Sequence, residues 1–445
     1  MLKNRGHWSG SLGLILAASG SAVGLGNIWK FPYITGVNGG GAFVLIYLVC
    51  IALVGLPVLI AEMAVGKESQ ADVLDAFSEL RGKKSKWVSI GWLGLASAFL
   101  ILSFYSVVGG WVLDFEVKSL MMKFNTVDDT EISGYLGSLF SSPGTLIFWH
   151  SIFMVMTIAI VIKGVSGGIE KASKILMPVL FLILIGLGIR VMFLDGFSEA
   201  LKFLFYPDFS KLTWEGVLEA VGHSFFTLSL GMGAMLTYGS YIGKRQPLVK
   251  SALIIGLLDT VIALVAGLII FSVVFTYQGE PKAGPTLMFV TLPLLFKKLA
   301  GGSIIAILFF MLIAFAALTS AISLLEVVVS ALVTKKEWSR VKATLLSGIV
   351  IWALGILCAL SFNVLGDFKP LFDKNVFDLF DALTSKIFLP LGGLLIAVFF
   401  GWSWKGGIES IGYNDSFGRR ALLWSNRIVA PIAIAYVLIK GLEGF

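Results

Sequence analysis

Long apolar segments alternate with short polar connections along the whole chain. Several of these segments exceed the roughly 20 apolar residues that an α-helix needs to cross a hydrocarbon core of about 30 Å. A membrane-spanning barrel would instead show strands of about ten residues with alternating polarity. The pattern therefore predicts an all-α membrane protein with eleven transmembrane helices. Their predicted bounds lie near residues 11–36, 41–66, 87–122, 145–162, 170–190, 216–242, 249–279, 302–333, 341–361, 377–401 and 418–441.

Two of the predicted helices, the first and the sixth, contain residues that favour a break. Residues 19–27 hold three glycines within seven positions and end on Asn27, and residues 227–233 hold Gly231 and Gly233 beside hydroxyl side chains. Glycine weakens a helix by about 1 kcal/mol relative to alanine. Such glycines can also serve only as close-packing surfaces between helices. Because two segments share the pattern, we favour the break.

The spacing of the two candidate breaks suggests how the chain is organised. Glycine-interrupted helices at corresponding positions in two halves are typical of inverted repeats with a binding site at the bilayer midplane. The breaks lie five helices apart, which predicts one transmembrane domain over 1–445. We expect inverted 5+5 repeats at about 11–190 and 216–401, with an additional helix at about 418–441.

Composition and charge agree with a chain embedded in lipid. Hydrophobic residues make up 57% of the sequence and charged residues 14%, with a mean hydropathy of +0.92. The net charge of +7 comes from Lys and Arg in alternate connections. This bias predicts a cytoplasmic N-terminus and, with an odd number of helices, an extracellular or periplasmic C-terminus. The sequence shows no nucleophile–base pair, metal-binding cluster or phosphate-binding loop, so we expect neither an enzyme nor a nucleic-acid partner.

Polar side chains within the apolar segments indicate a cation site. A sodium ion prefers oxygen ligands, and inside a bilayer these come from freed backbone carbonyls or from polar side chains. Asn27, Thr227, Thr319 and Ser320 supply such oxygens, although hydroxyls in helices often bond to their own backbone. Asp259 is a stronger candidate, because a carboxylate inside an apolar helix is costly unless it faces a cation or is protonated.

Two more acids, Glu62 and Glu326, also lie in apolar segments. We expect them to accept hydrogen bonds from backbone N–H groups that the helix breaks release, rather than to contact a substrate. The two cysteines, Cys50 and Cys358, lie in apolar segments and are expected to be buried thiols.

Four sequence motifs resemble the neurotransmitter:sodium symporters. They occupy residues 7–32, which contain the Gly20–Asn27 stretch, and residues 38–43, 225–231 and 317–320. The resemblance covers essentially the whole chain and is to the bacterial eleven-helix branch, of the multihydrophobic amino-acid transporter type. It implies a multi-pass symporter in a prokaryotic plasma membrane that imports amino acids with sodium by alternating access.

The resemblance also implies roles for individual residues. Sodium site 1 would comprise Ala22, Asn27, Thr227 and Asp259, and sodium site 2 would comprise Gly20, Val23, Ala316, Thr319 and Ser320. The substrate pocket would be lined by Ala22, Gly24, Leu25, Gly26, Ile101, Tyr105, Phe226, Thr227, Ser229, Met232, Ser320 and Leu324. The gates would be Arg5 and Trp8 on the inner side, and Phe226 with the pair of Lys30 and Asp381 on the outer side.

The residue at position 24 bears on the substrate. Relatives that carry amines have an aspartate there, which replaces the carboxylate that an amine lacks, so Gly24 implies an amino acid. The flexible Met232 side chain suits a hydrophobic or aromatic cargo. Many relatives have an asparagine where Asp259 stands and need chloride, so the carboxylate implies transport without chloride. A further role for Asp259, as a proton carrier on the empty return step, stays open.

Some positions depart from the family pattern. The usual acidic partner of Arg5 aligns with Thr334, and Glu337 lies nearby in the sequence. His223 replaces a glutamine and is expected to be packed and hydrogen-bonded.

Some alternative functions stay open. They are a carrier of another small zwitterion, a non-transporting amino-acid sensor and a channel. A quaternary zwitterion needs an aromatic cage and a channel needs a continuous polar stripe. Beyond substrate and lipid, no obligate protein partner is expected.

Overall fold

The computed structural model describes residues 6–243, 246–279, 286–412 and 415–443, and the regular structure in these ranges is helical. The only β pairing within them is an isolated bridge between Leu371 and Lys374. The principal helices are α1 (Ser11–Ala22), α2 (Gly26–Val37), α3 (Gly41–Ser69), α4 (Val88–Leu120), α5 (Pro143–Val161), α6 (Val165–Val191), α7 (Trp214–Thr227), α8 (Ala234–Gly239), α9 (Leu248–Thr276), α10 (Gly302–Lys335), α11 (Arg340–Leu360), α12 (Val376–Ser403) and α13 (Ser416–Glu443).

The predicted all-α membrane architecture is confirmed. Within the described ranges, nine helices are long and apolar enough to cross a bilayer, and the bent pair of α1 and α2 raises the number to ten. The predicted span 216–242 corresponds to α7 and α8, which contain 14 and 6 residues. These lengths give about 21 and 9 Å of helix, too short for either to cross alone. The eleven-helix count and the inverted repeats therefore stay predictions.

The first helix break separates α1 from α2, whose axes differ in direction by 48°. Val23, the first residue beyond α1, has an extended backbone with ψ of 97°, so its carbonyl leaves the helical ladder. The chain re-enters a helix at Gly26, and the whole stretch from Ala22 to Asn27 is buried. A buried break exposes backbone oxygens that a continuous helix would keep paired.

The second break spans residues 228–233 between α7 and α8. Ser229 has φ of 54°, and Gly231 and Gly233 each have φ of 76°. A positive φ is a left-handed conformation that glycine adopts without strain. The Glu62 carboxylate accepts hydrogen bonds from the backbone N–H groups of Gly231, at 3.0 Å, and Leu236, at 3.3 Å. The expected role of Glu62 as an acceptor for freed backbone groups is therefore confirmed.

Helices α1 and α10 form the centre of the bundle. α1 packs against α6, α9 and α10, while α10 packs against α4, α5, α6 and α11. The Ser229 hydroxyl donates to the Ser21 backbone carbonyl at 2.8 Å and so joins the two breaks directly. Cys50 and Cys358 are buried and unpaired, as expected. The broken segments therefore face each other across one interior site.

The connections contain helices that the hydropathy pattern did not predict. Asp129–Phe140 follows α4, and a helical segment at 287–298 follows α9. They are joined where Lys297 donates to Asp129 at 2.8 Å. This hydrogen bond from Lys297 holds the pKa of the Asp129 carboxyl below its usual value. Their sequences are too short or too polar to register as membrane segments.

Candidate functional site

Three polar side chains from different helices meet beside the first break. The Asn27 amide nitrogen donates to the Asp259 carboxylate at 2.7 Å and to the Asp259 backbone carbonyl at 3.0 Å. The Thr227 hydroxyl lies 2.9 and 3.1 Å from the two carboxylate oxygens. All three residues are buried. We call this group the carboxylate cluster; it gathers carboxylate, hydroxyl and amide oxygens, the kinds of ligand that hard cations prefer.

A second polar group lies where α10 crosses α1. The Ser320 hydroxyl donates to the backbone carbonyls of Ser21, at 3.1 Å, and Gly20, at 3.4 Å. The Thr319 hydroxyl donates to the Ala316 carbonyl at 3.0 Å. A Cβ added to Gly20 would lie only 3.1 Å from the Thr319 Cβ, so the close approach of the helices depends on glycine. We call this group the hydroxyl cluster.

A cavity of about 20 Å³ lies between the two breaks. It holds about one water-sized sphere, so a larger ligand requires its walls to move apart. Ser21 and Ser323 belong to the wall but were not predicted from the sequence, and their hydroxyls bond at 2.7 Å. The full lining comprises Ser21, Ala22, Gly24, Leu25, Gly26, Ile101, Tyr105, Phe226, Ser229, Met232, Ser320, Ser323 and Leu324.

Of the predicted pocket residues, only Thr227 is absent from this wall, because its hydroxyl points to Asp259 instead. Ser323 could have been found by its spacing, since it lies three residues after Ser320 on the same helix face. Ser21 needed the three-dimensional arrangement, because its carbonyl and hydroxyl become available only where α1 approaches α10.

Gly24 lies in the cavity wall where a side chain would meet two hydroxyl groups. A Cβ at this position would lie 2.5 Å from the Ser320 hydroxyl oxygen and 3.1 Å from the Tyr105 hydroxyl oxygen. The Tyr105 hydroxyl accepts a hydrogen bond from the Leu25 backbone N–H at 3.4 Å. The Leu25 backbone N–H and the Tyr105 hydroxyl therefore meet beside Gly24, and such donors suit an anionic group.

Phe226 lines both this cavity and a second one of about 120 Å³, which we call the vestibule. Lys30 and Asp381 both line the vestibule, and the Lys30 ammonium lies 4.8 Å from the centre of the Phe226 ring. No ion pair within 4.0 Å joins Lys30 to Asp381, although both belong to the described part of the chain. The ionic gate between them stays a prediction.

On the opposite side of the site, Trp8 anchors the N-terminal segment. Its indole N–H donates to the Tyr238 carbonyl at 3.0 Å, and its ring packs edge-on against Tyr238 and Tyr241 at 5.2 and 5.9 Å. Arg5, the other predicted inner-gate residue, lies outside the described residues.

The expectation that Glu326 accepts from freed backbone groups is wrong. Its buried carboxylate accepts from the Tyr241 hydroxyl at 2.6 Å and forms an ion pair with Arg340, whose second nitrogen donates at 3.2 Å. Arg340 also donates to the Val161 carbonyl at 2.9 Å. This network, which joins α10 to α11 close to Trp8, was missed because its partners come from separate elements.

The expectation of a hydrogen-bonded His223 is also wrong. The ring is buried, 6.1 Å from the Phe31 ring in a stacked arrangement and 5.4 Å from the Tyr47 ring. Within the described residues neither ring nitrogen has a hydrogen-bond partner. Aromatic packing surrounds the imidazole and leaves it no polar neighbour within hydrogen-bonding distance.

The fold and the site together define a membrane-embedded carrier in which oxygen groups suited to binding a cation lie beside a small cavity. Residues 5–130 and 130–443 match the model of the sodium:neurotransmitter symporter family, and the chain belongs to that family. A symporter is a multi-pass membrane transporter rather than an enzyme, and sodium-coupled transport of amino acids is the activity that the similarities below support.

Two curated relatives and one solved structure are similar over most of their length. An uncharacterised sodium-dependent transporter of Bacillus subtilis, YhdH, is 42% identical over 393 residues, which cover 88% of this chain and 87% of that protein. An uncharacterised sodium-dependent transporter of Haemophilus influenzae is 35% identical over 451 residues, with 99% of both chains covered. The crystal structure of MhsT in complex with L-phenylalanine matches with a TM-score of 0.92 and 44% identity, covering 98% of this chain and all of that one.

Proposed function

We propose that this chain couples the sodium gradient to the import of hydrophobic or aromatic L-amino acids. The observation that carries the proposal is the position of the cavity at two buried helix breaks. Ser320 of the hydroxyl cluster lines it, and its wall residues Gly26 and Phe226 directly adjoin Asn27 and Thr227 of the carboxylate cluster. Oxygen ligands beside a cavity that widens to admit the substrate would allow ions and substrate to stabilise each other. Coupling by shared occupancy follows from that arrangement.

Two sodium ions fit the chemistry of these clusters. The first would be held by Ala22, Asn27, Thr227 and Asp259, and the second by Gly20, Val23, Ala316, Thr319 and Ser320. The Asp259 carboxylate offsets one of the two positive charges, and a substrate carboxylate offsets the other. Because the fixed carboxylate supplies the charge that chloride supplies in other relatives, we propose chloride-independent transport.

The shape of the cavity favours an amino acid over an amine. At Gly24 a side-chain carboxylate would collide with the Ser320 and Tyr105 hydroxyls, so the anionic group must come with the substrate. The far wall is apolar and includes Ile101, Met232 and Leu324. A wall of this kind suits a hydrophobic or aromatic side chain, and the similarity to MhsT, solved with L-phenylalanine, supports that choice.

Import by alternating access would use both closures of the site. Phe226, with Lys30 and Asp381 beyond it, would close the outer side, and Trp8 with the preceding residues would close the inner side.

We propose that the sixth span is α7 and α8 together, which completes eleven spans with the N-terminus in the cytoplasm. The positive charge of alternate connections supports this orientation.

The direct test is uptake of labelled phenylalanine, leucine and tryptophan into proteoliposomes that contain the purified protein. An inward sodium gradient should drive accumulation above equilibrium, and potassium in its place should abolish it. Asn27→Ala should remove accumulation because it deletes one side of the carboxylate cluster. Asn363→Ala is the matched control, because it loses an amide side chain that, among the described residues, bonds only to the Phe140 carbonyl and the Val364 backbone N–H, away from the site.

The same assay separates the alternatives. Saturable, sodium-dependent binding without accumulation would identify a sensor and contradict symport. Uptake that falls sharply when gluconate replaces chloride would contradict the assigned role of Asp259. If none of the three amino acids binds at any sodium concentration, the pocket assignment based on Gly24 and Met232 is wrong.

A further inference from the structure

A groove of about 400 Å³ opens on the surface of the bundle where α13 begins. Trp402, at the end of α12, forms one wall of it. The other wall comes from one face of α13, since its residues are spaced by three or four positions. The lining residues are Trp402, Arg420, Leu423, Trp424, Arg427 and Ile428. Trp402 and Trp424 are 65% and 63% exposed, so two large aromatic rings are accessible at the groove.

Hydrogen bonds fix the two walls of this groove relative to each other. The Trp402 indole N–H donates to the Arg427 carbonyl at 3.1 Å, and the Arg427 Nε donates to the Gly401 carbonyl at 2.6 Å. The Arg427 guanidinium lies 5.6 Å from the centre of the Trp402 ring. The groove is therefore a formed site, not a gap between mobile side chains.

Polar contacts on the opposite face hold α13 against the bundle. The Ser425 hydroxyl donates to the Leu53 carbonyl at 2.5 Å, and the Asn426 amide donates to the Pro57 carbonyl at 3.2 Å. With α13 held in this orientation, the helix face that carries Trp424 points away from the bundle. Whatever occupies the groove therefore comes from the membrane or the adjoining solution.

The groove carries positive charge that the described part of the chain does not neutralise. The Arg420 Nε donates to a backbone carbonyl at 3.3 Å, and no described carboxylate pairs with Arg420 or Arg427. The two acids nearby are already engaged. Glu409 faces Arg419 at 3.8 Å, and Asp415 caps the start of α13 by accepting from two backbone N–H groups.

The position of the arginines along α13 selects the kind of anion. Arg420 and Arg427 lie four and eleven residues beyond Ser416, or about 6 and 16 Å along the helix. An exposed arginine on a membrane-spanning helix is costly in lipid unless its side chain reaches the headgroup level or an anion meets it. Exposed tryptophans are typical of the membrane–water interface. The counter-charge must therefore be available at the level of the lipid headgroups and be attached to an apolar body.

We propose that this groove binds the headgroup of an anionic phospholipid. Its phosphate would lie between Arg420 and Arg427, and its glycerol and upper acyl chain would cover Leu423, Trp424 and Ile428. Basic pockets beside membrane helices bind lipid headgroups in this way. A free inorganic anion would satisfy the arginines and leave the apolar wall uncovered, and a second copy of the chain would have to bring a carboxylate. A phospholipid offers both an anionic group for the arginines and an apolar body for the wall.

The test is a lipid titration of the full-length protein in detergent, with bound lipids counted by native mass spectrometry. Phosphatidylglycerol should be retained in preference to phosphatidylcholine. Arg420→Gln and Arg427→Gln should each weaken phosphatidylglycerol binding about fivefold, and the double variant roughly 25-fold. Arg419→Gln is the matched control: it removes a neighbouring arginine that is paired with Glu409 and does not line the groove.

A second measurement needs no change of charge. Phosphatidylglycerol with brominated acyl chains should quench part of the tryptophan fluorescence, and the quenched part should shrink in Trp424→Phe. Equal retention of the two lipids, or a loss in Arg419→Gln as large as in Arg420→Gln, would overturn the proposal. Displacement of the lipid by millimolar inorganic phosphate would assign the groove to a soluble anion. A shift from dimer to monomer in the double variant, with lipid binding unchanged, would assign it to a contact between copies.

Discussion

Replacing Gly24 with alanine tests the geometry of the site through a single methyl group. The added Cβ would lie 2.5 Å from the Ser320 hydroxyl oxygen, and ordinary contact begins near 3.4 Å, so the two atoms must separate by about 0.9 Å. The Ser320 hydroxyl holds the carbonyls of Ser21 and Gly20 at 3.1 and 3.4 Å. Moving it breaks at least one of these bonds and disturbs the hydroxyl cluster.

The cost follows from two terms. Loss of one buried hydrogen bond is worth about 1 kcal/mol, and overpacking of a close-packed interior adds about 1 to 3 kcal/mol. The added methyl group also takes up space in a cavity of only about 20 Å³, so it competes directly with a ligand for the room between the two breaks. We therefore expect the cost to fall on binding, which should weaken by about 2 to 4 kcal/mol, or roughly 30- to 900-fold.

The assay is equilibrium binding of labelled phenylalanine to the purified protein at saturating sodium. Gly186→Ala is the matched control, because it adds the same methyl group to a membrane helix where nothing lies within 4 Å. Adding Ser320→Ala to Gly24→Ala removes the oxygen that makes the tightest contact and leaves the Ser320 Cβ at 3.4 Å. The double variant should recover part of the phenylalanine affinity, provided that sodium is raised to offset the lost ligand.

Two results would refute this reasoning. If Gly24→Ala binds phenylalanine as tightly as the unmodified protein, then the cavity between the breaks is not the binding site. If Gly186→Ala weakens binding as much as Gly24→Ala, then the effect reports general damage to the helices rather than a local collision.

Two further variants address the charged networks on either side of the cavity. Asp259→Asn should raise the sodium concentration for half-maximal phenylalanine binding roughly tenfold or more, because hydrogen bonds to a charged group are worth about 1.5 to 3 kcal/mol. An unchanged sodium concentration for half-maximal binding would exclude the carboxylate from the sodium site. Arg340→Gln should lower the melting temperature in detergent, since it leaves the Glu326 carboxylate buried without its cation, a loss of about 3 kcal/mol. Adding Glu326→Gln should restore much of that stability, whereas Arg419→Gln, which breaks an exposed pair, should change it by less than about 1 kcal/mol. Equal melting temperatures for Arg340→Gln and Arg419→Gln would contradict the importance of the buried pair.

The membrane helices, the two breaks and the carboxylate at Asp259 could be predicted because each has a local cause. Apolar length predicts a span, and clustered glycines predict a break. A lone acid in an apolar helix indicates a polar neighbour, and Asp259 indeed meets Asn27 and Thr227. Family resemblance then supplied most of the cavity wall, because the motifs fix which residues lie on the broken segments.

The rest depends on contacts between segments that are distant in the sequence. The partner of Glu326 turned out to be Arg340, at the start of the next helix, and local pattern gives no reason to choose it over other arginines. His223 looked like a residue that would find a hydrogen-bond partner, but aromatic rings from two other helices surround it. Burial and polarity can be predicted from a sequence; the identity of the neighbour requires the packed structure.

Under the proposed function, the backbone of α1 at its C-terminal end links the ion sites to the substrate cavity. The Ser21 carbonyl accepts hydrogen bonds from the hydroxyls of Ser320 on α10 and Ser229 in the second break. The Ser21 hydroxyl donates to the Ser323 hydroxyl. Gly24, two residues past the end of α1, lines the cavity and also donates its N–H to the Asn27 side chain at 3.0 Å. A bound molecule that moves any of these atoms therefore also moves the coordinating groups of both clusters. Since a ligand shifts a conformational equilibrium only by its differential affinity for the two states, we propose that this shared backbone couples sodium affinity to amino-acid affinity.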